Sequence, residues 1–222
     1  TLSSSSAASD VYKRQMRALD TGSNNVAIGV EALENLGSSN NTAIGHQSQQ
    51  KITTGTRNTS IGTMSLQNNL DGDDNVAIGF NALRSTIESD TVAIGAYSMP
   101  SATNPVFSVA VGKSSGENIT TGAYNTMVGG ASLFNLTSGS HNTAVGYKAG
   151  FKVTSDNNVF IGHEAGEGVS SATGVIAMGV MNMLTANPST TIMIGSESSA
   201  QLTGKENIIV AHHSMNLSLI HI

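Results

Sequence analysis

A five-residue stretch, Asn25-Val26-Ala27-Ile28-Gly29, recurs along this chain as Asn41-Thr42-Ala43-Ile44-Gly45, Asn75-Val76-Ala77-Ile78-Gly79 and Asn142-Thr143-Ala144-Val145-Gly146. With its last residue as a mark, the series runs Gly29, Gly45, Gly62, Gly79, Gly95, Gly112, Gly129, Gly146, Gly162, Gly179, Gly195 and then Ala211, at intervals of 16 or 17 residues. So short a period leaves room for one turn of chain per repeat, so the apolar residues must be buried between stacked turns. That is a solenoid.

Each offset from the mark carries its own chemistry. Three residues before it the side chain is β-branched in all copies, and one residue before it stands Ile, Val or Met. Side chains alternate along a strand, so these two rows share a face and are expected to form the inner wall of the coil. The glycine then turns the chain at positive φ, where no Cβ strain arises. Three residues beyond it lies Ala or Ser in every copy but one, Asn182, small enough for a tight turn. Seven or eight beyond it comes another apolar residue, among them Leu36, Ile52, Leu70, Ile87, Ile119, Leu136, Val153, Val169 and Leu202, read as the inner residue of a second short strand. Turn chemistry such as Thr53-Thr54-Gly55 closes the coil. The expected fold is all-β: a single-start parallel β-roll of about twelve coils with two short strands each.

Eight motifs open with asparagine: Asn25, Asn41, Asn58, Asn75, Asn125, Asn142, Asn158 and Asn207. Stacked coils would align them into a ladder, each amide bonding its equivalents above and below. Two residues before the mark the row reads Ala27, Ala43, Ser60, Ala77, Ala93, Ala110, Met127, Ala144, Phe160, Ala177, Met193 and Ile209, with no charge anywhere. Alternation assigns this row to the outside. An uncharged outer row calls for a cover, and further copies of the chain are the expected one. Met99–Pro105, with two prolines, and the turn holding Pro188 are expected as bulged or exposed loops.

Composition narrows the function. The chain has 11% charged and 4% aromatic residues, no Cys and a net charge of −5, without a basic cluster. Nucleic acid and anionic membrane are poor partners for such a surface, no disulfide framework exists, and no apolar run is long enough to span a bilayer. Residues 1–15 and 217–222 read as translated sequencing adapter, which sets 16–216 as the repeat domain, expected to be an internal fragment of a longer protein.

The signature Asn-Val/Thr-Ala-Ile-Gly-x-x-Ala/Ser resembles the head repeats of YadA-like trimeric autotransporter adhesins. The Thr-x-Gly-x-x-Asn spacer and the Gly-x-x-Ala-Leu variant resemble still more the repeat regions of phage tail fibres upstream of an endosialidase-type intramolecular chaperone. The resemblance covers residues 16–216. It implies a left-handed parallel β-roll assembled as a homotrimer on a virion or cell surface.

Site chemistry is sparse. His46, His163 and His212 each follow a mark, but the first two stand about 34 Å apart at ~4.8 Å per coil. His212-His213 lacks further ligands at suitable spacing. Asp71-Gly72-Asp73-Asp74 lacks the periodic glycines and bidentate glutamate of a calcium roll and reads as an acidic turn. Glu31, Glu34, Glu164 and Glu167 are too scattered for a paired-carboxylate hydrolase. The reading is therefore a non-enzymatic fibre segment, with no catalytic, metal or cofactor site, binding its own copies and a host receptor or glycan. A phage tail fibre is expected first, an autotransporter head second and a polysaccharide-processing spike third.

Overall fold

The computed structural model describes residues 22–34, 37–184, 190–197, 199–200 and 207–210. Leu36, Leu202, Pro188, Ala211, His212-His213 and both terminal segments lie outside the described residues.

The described residues form a parallel β-solenoid without a helix. Its strands are β1 (Val26–Ile28), β2 (Thr42–Ile44), β3 (Thr59–Ile61), β4 (Val76–Ile78), β5 (Val92–Ile94), β6 (Val109–Val111), β7 (Thr126–Val128), β8 (Thr143–Val145), β9 (Val159–Ile161), β10 (Ile176–Met178), β11 (Met183–Leu184), β12 (Thr191–Ile194), β13 (Ser199–Ala200) and β14 (Asn207–Val210). Twelve of them make one sheet in the order β1 to β10, then β12 and β14. Equivalent motif positions pair directly, as Val76 with Val92 and Ala77 with Ala93. Among the described residues the expected second strand of each coil is seen only in the β11–β13 pair. Elsewhere that side is built of turns, which still bond coil to coil: Leu66 N–H donates to Ala82 O at 3.0 Å and Thr53 N–H to Leu70 O at 2.7 Å.

The faces of the main sheet are the reverse of the sequence expectation. The row of small residues points inward: Ala43, Ser60, Ala77, Ala93, Ala110, Met127, Ala144, Phe160, Ala177 and Met193 are fully buried. The β-branched rows flanking it point outward. The interior is already filled by Leu66, Leu83, Met99 and Leu133 from four residues beyond the mark and by Ile52, Ile119, Leu136, Val153 and Val169 from seven beyond. Only a small third row fits beside them. Where that row is large, a neighbour shrinks. A Cβ on Gly150 would lie 2.7 Å from the Phe160 ring, and one on Gly116 would lie 2.7 Å from Met127 Sδ. Leu70 and Ile87 are also outward, 44% and 48% exposed, because Asn69 and Thr86 occupy the inner place instead.

The marking glycines have φ between 124° and 145°. Their backbones stack so closely that a Cβ on Gly29 would stand 2.5 Å from Gly45 O, and one on Gly45 equally near Gly62 O. The column requires glycine twice over, for φ and for space.

The asparagine column staples rather than ladders. Asn41 Oδ1 accepts the Asn58 N–H at 2.9 Å, and Asn41 Nδ2 donates to Gly55 O at 3.0 Å. Asn125 repeats both contacts, accepting from the Asn142 N–H and donating to Gly139 O, each at 2.9 Å. The side chain thus bonds backbone of its own closing turn and of the next coil. Amide-to-amide contact appears between Asn142 and Asn125 and between Asn158 and Asn142, at 3.2 Å. Thr91 keeps the closing-turn half of this role: its N–H donates to Asn75 Oδ1 and its hydroxyl donates to Pro105 O, while the Ser108 N–H of the next coil donates to Pro105 O. Pro105 is buried in the turn and the strands on either side stay in register, so no bulge forms there.

Candidate functional surface

The inverted faces leave one broad apolar surface. On it, Val26, Ile28 and Ile208 are 46%, 57% and 45% exposed, and Ile61, Val128, Val145, Ile161 and Ile194 are also open. Twelve strands at ~4.8 Å make the two outward rows about 53 Å long. A run of this length, β-branched but for Met178, on one face of a parallel sheet and with no charge in either row, far exceeds the scattered apolar exposure of an ordinary surface.

Two columns border this face. On one side stand the residues five before each mark. They have φ near +60°, as in Asn24, Asn40, Asp74, Asp90 and Asn157, which suits Asn and Asp. Three successive coils instead place Phe107, Tyr124 and His141 there, at φ 54°, 57° and 60°. Their rings stack, Phe107 on Tyr124 at 5.6 Å and Tyr124 on His141 at 4.9 Å between centroids. The stacking offsets the left-handed backbone. Further along this border Gly174 carries no side chain, and a hollow of about 270 Å³ opens there between Ile176, Thr190 and Ile192.

On the other side stand the residues just after each mark. Tyr147 stacks on His163 at 5.5 Å. Lys148 Nζ lies 5.3 Å from the Tyr147 ring and 5.6 Å from that of Phe151, which itself stacks on Phe134. Of the described aromatic residues, Phe160 alone belongs to the buried core.

The acidic and histidine candidates do not converge. Glu31 and Glu34 accept from Gln50 at 3.0 and 2.9 Å, Glu164 pairs with Lys148 at 3.6 Å and Glu167 with Lys152 at 4.0 Å, each bond joining neighbouring coils. Asp73 accepts from Thr56, and Asp74 holds Arg57 at 2.6 and 2.7 Å, so this acidic turn pins the coil before it. That hydrogen bond holds the Asp74 carboxyl below its usual range and raises the Arg57 guanidinium. His46 and His163 remain seven coils apart. Among the described residues no three His, Asp or Glu side chains are grouped to hold a metal ion.

These features define a class: a parallel β-solenoid with one apolar sheet face rimmed by stacked rings. No protein-family model, no curated protein and no solved structure matches the chain. Alignment on the marks already put rings at the same offset in three consecutive coils, a signal that reading for titratable clusters passes over.

Proposed function

We propose that this chain is a structural, non-enzymatic segment of a homotrimeric surface fibre, in the first place a phage tail fibre, that holds a host-receptor-binding surface away from the virion. The observation carrying the reading is the apolar sheet face, now assigned to the β-branched rows and not to the alanine row. Two uncharged outward rows, mostly Val and Ile with Thr42, Thr59, Thr126, Thr143 and Met178 among them, favour burial against an equivalent surface, and identical chains supply one. Counted across both borders, the face covers on the order of 1,000 Å²; shared between two neighbours it gives each contact about 500 Å² per chain, or about 1,000 Å² in total, the lower bound for a specific interface. Three rolls packed this way leave their turn sides outward, where weak contacts to a receptor or glycan act together through avidity.

Sedimentation of the whole chain tests the assembly: a species of three times the 22.7 kDa chain mass is expected. Replacing Val92 and Ile94 with glutamate should yield a folded monomer. A wild-type chain that sediments as a monomer at high concentration refutes the proposal. Retention of the trimer, but not the monomeric variant, on host cells tests the receptor role.

A further inference from the structure

The hollow beside Gly174 is not something the fold requires. Neighbouring coils hold side chains at this offset on the same left-handed backbone, Asn157 at φ 61° and Thr190 at φ 54°, against φ 73° for Gly174. A Cβ on Gly174 would meet only Thr190, at 3.6 and 3.7 Å, which is ordinary contact. Its absence leaves about 270 Å³, walled by Ile176, Ile192 and Ile208 together with Thr190 and Asn207. The three isoleucines pair in register as one outward row of the sheet, so the hollow is a recess in the apolar face. Roughly 150 Å³ of apolar space holds a benzene ring, so the recess has room for two aliphatic side chains.

The same coil carries an exception on its opposite border. The two residues after a mark include a polar, aromatic or small side chain in the other described coils, as in Tyr147-Lys148 and His163-Glu164. After Gly179 they are Val180 and Met181, 42% and 39% exposed. Among the described coils, a glycine at the one border and a pair of large aliphatic residues at the other each occur once, and they occur together. In a ring of copies about an axis parallel to the coil stack, each contact is heterologous: one border of a copy meets the other border of the next, at the same coil level. Knob and recess then face each other. We propose that Val180 and Met181 of one copy fill the recess beside Gly174 of the next, against its Ile176, Ile192 and Ile208. A shift of one coil either way would bring Glu164 or Glu197 to the recess, and desolvating a carboxylate against isoleucine is costly. The inference rests on the cyclic assembly proposed above, and names the contact that sets its register.

The chain has no cysteine, so a Gly174→Cys, Val180→Cys double variant carries the only thiols. Within one chain the extended strand β10 (Ile176–Met178) holds the two positions on the order of 15–20 Å apart, far beyond the ~4 Å between the Cβ atoms of a disulfide. Mild oxidation of the assembled double variant is expected to give covalent dimers and trimers on denaturing gels, and neither single-cysteine variant should cross-link. Gly174→Asn restores a side chain usual in this column and fills the recess from its own chain. It is expected to leave the circular dichroism unchanged and to weaken assembly at least tenfold. If it unfolds the chain, oxidation of the double variant decides alone. Trimers that form no disulfide, or that tolerate Gly174→Asn, overturn the border contact and leave the trimer standing. Disulfide-linked dimers of either single variant mean two-fold packing and overturn both. A monomeric wild type removes the assembly and the contact with it.

Discussion

Gly112→Ala isolates what the glycine column does. Gly112 has φ 138°, and its added Cβ would stand 2.6 Å from both the carbonyl carbon and the oxygen of Gly129. A relaxed contact needs about 3.5 Å, so the two coils would have to separate by roughly 0.9 Å. The bonds that cross this step leave no such slack. Gly129 N–H donates to Val111 O at 2.7 Å and Val109 N–H to Asn125 O at 2.8 Å, and the same shift would stretch both past bonding distance. The backbone conformation, open essentially to glycine alone, costs an alanine about 1–3 kcal/mol. Overpacking adds about 1–3 kcal/mol. A destabilisation of about 2–6 kcal/mol is expected, read as a lowered urea midpoint by circular dichroism, with faster amide exchange confined to the coils around Val109 and Thr126. Gly130→Ala is the control, expected within about 0.5 kcal/mol of wild type because its Cβ meets only ordinary contacts. Equal midpoints for the two variants would refute the steric account of the column.

Three further outcomes follow from the interior and the turns. Asn125→Ala strips buried partners from the Asn142 N–H and from Gly139 O and should cost about 2–6 kcal/mol by urea unfolding, at about 1–3 per orphaned group. Gln49 sits fully buried at the offset where Leu33, Leu66, Leu83 and Leu133 stand in other coils, and neither atom of its amide has a partner, so Gln49→Leu should stabilise the fold by about 1–3 kcal/mol, read as a higher urea midpoint. Asp74 is held below its usual range by the Arg57 hydrogen bond. A depressed carboxyl stabilises above its unfolded value and loses that contribution as pH falls through the folded one, so a small loss is expected below about pH 4. Comparing urea midpoints of wild type and Asp74→Asn at neutral and acid pH checks this, since the variant should lack that part of the acid loss.

The period, the placement of the strands on the motif and the glycine turns could all be read along the chain, because each depends on residues a few positions apart. Which face of the strand is inside could not be read from hydrophobicity alone. The β-branched rows are the more apolar ones, and a rule that puts the greasiest face inward chooses them. Volume decides otherwise. The leucines four beyond the mark and the Ile, Leu and Val residues seven beyond already occupy the cross-section of a coil, and what remains admits alanine. Compensating exchanges across coils carry this signal. Phe160 is the largest residue in its row, and Gly166 and Gly150, at the leucine offset of its own coil and of the coil before, both give up their side chains to its ring. Met127 has Gly116 in the corresponding place of the preceding coil. A residue pointing to solvent has no reason to exchange volume with the core, so these pairs fix the alanine row inside and send valine and isoleucine to the surface. Alanines turned to water would leave little apolar surface for a neighbouring chain to cover, whereas two outward rows rich in Val and Ile leave much more, and that is the surface the proposed assembly would bury.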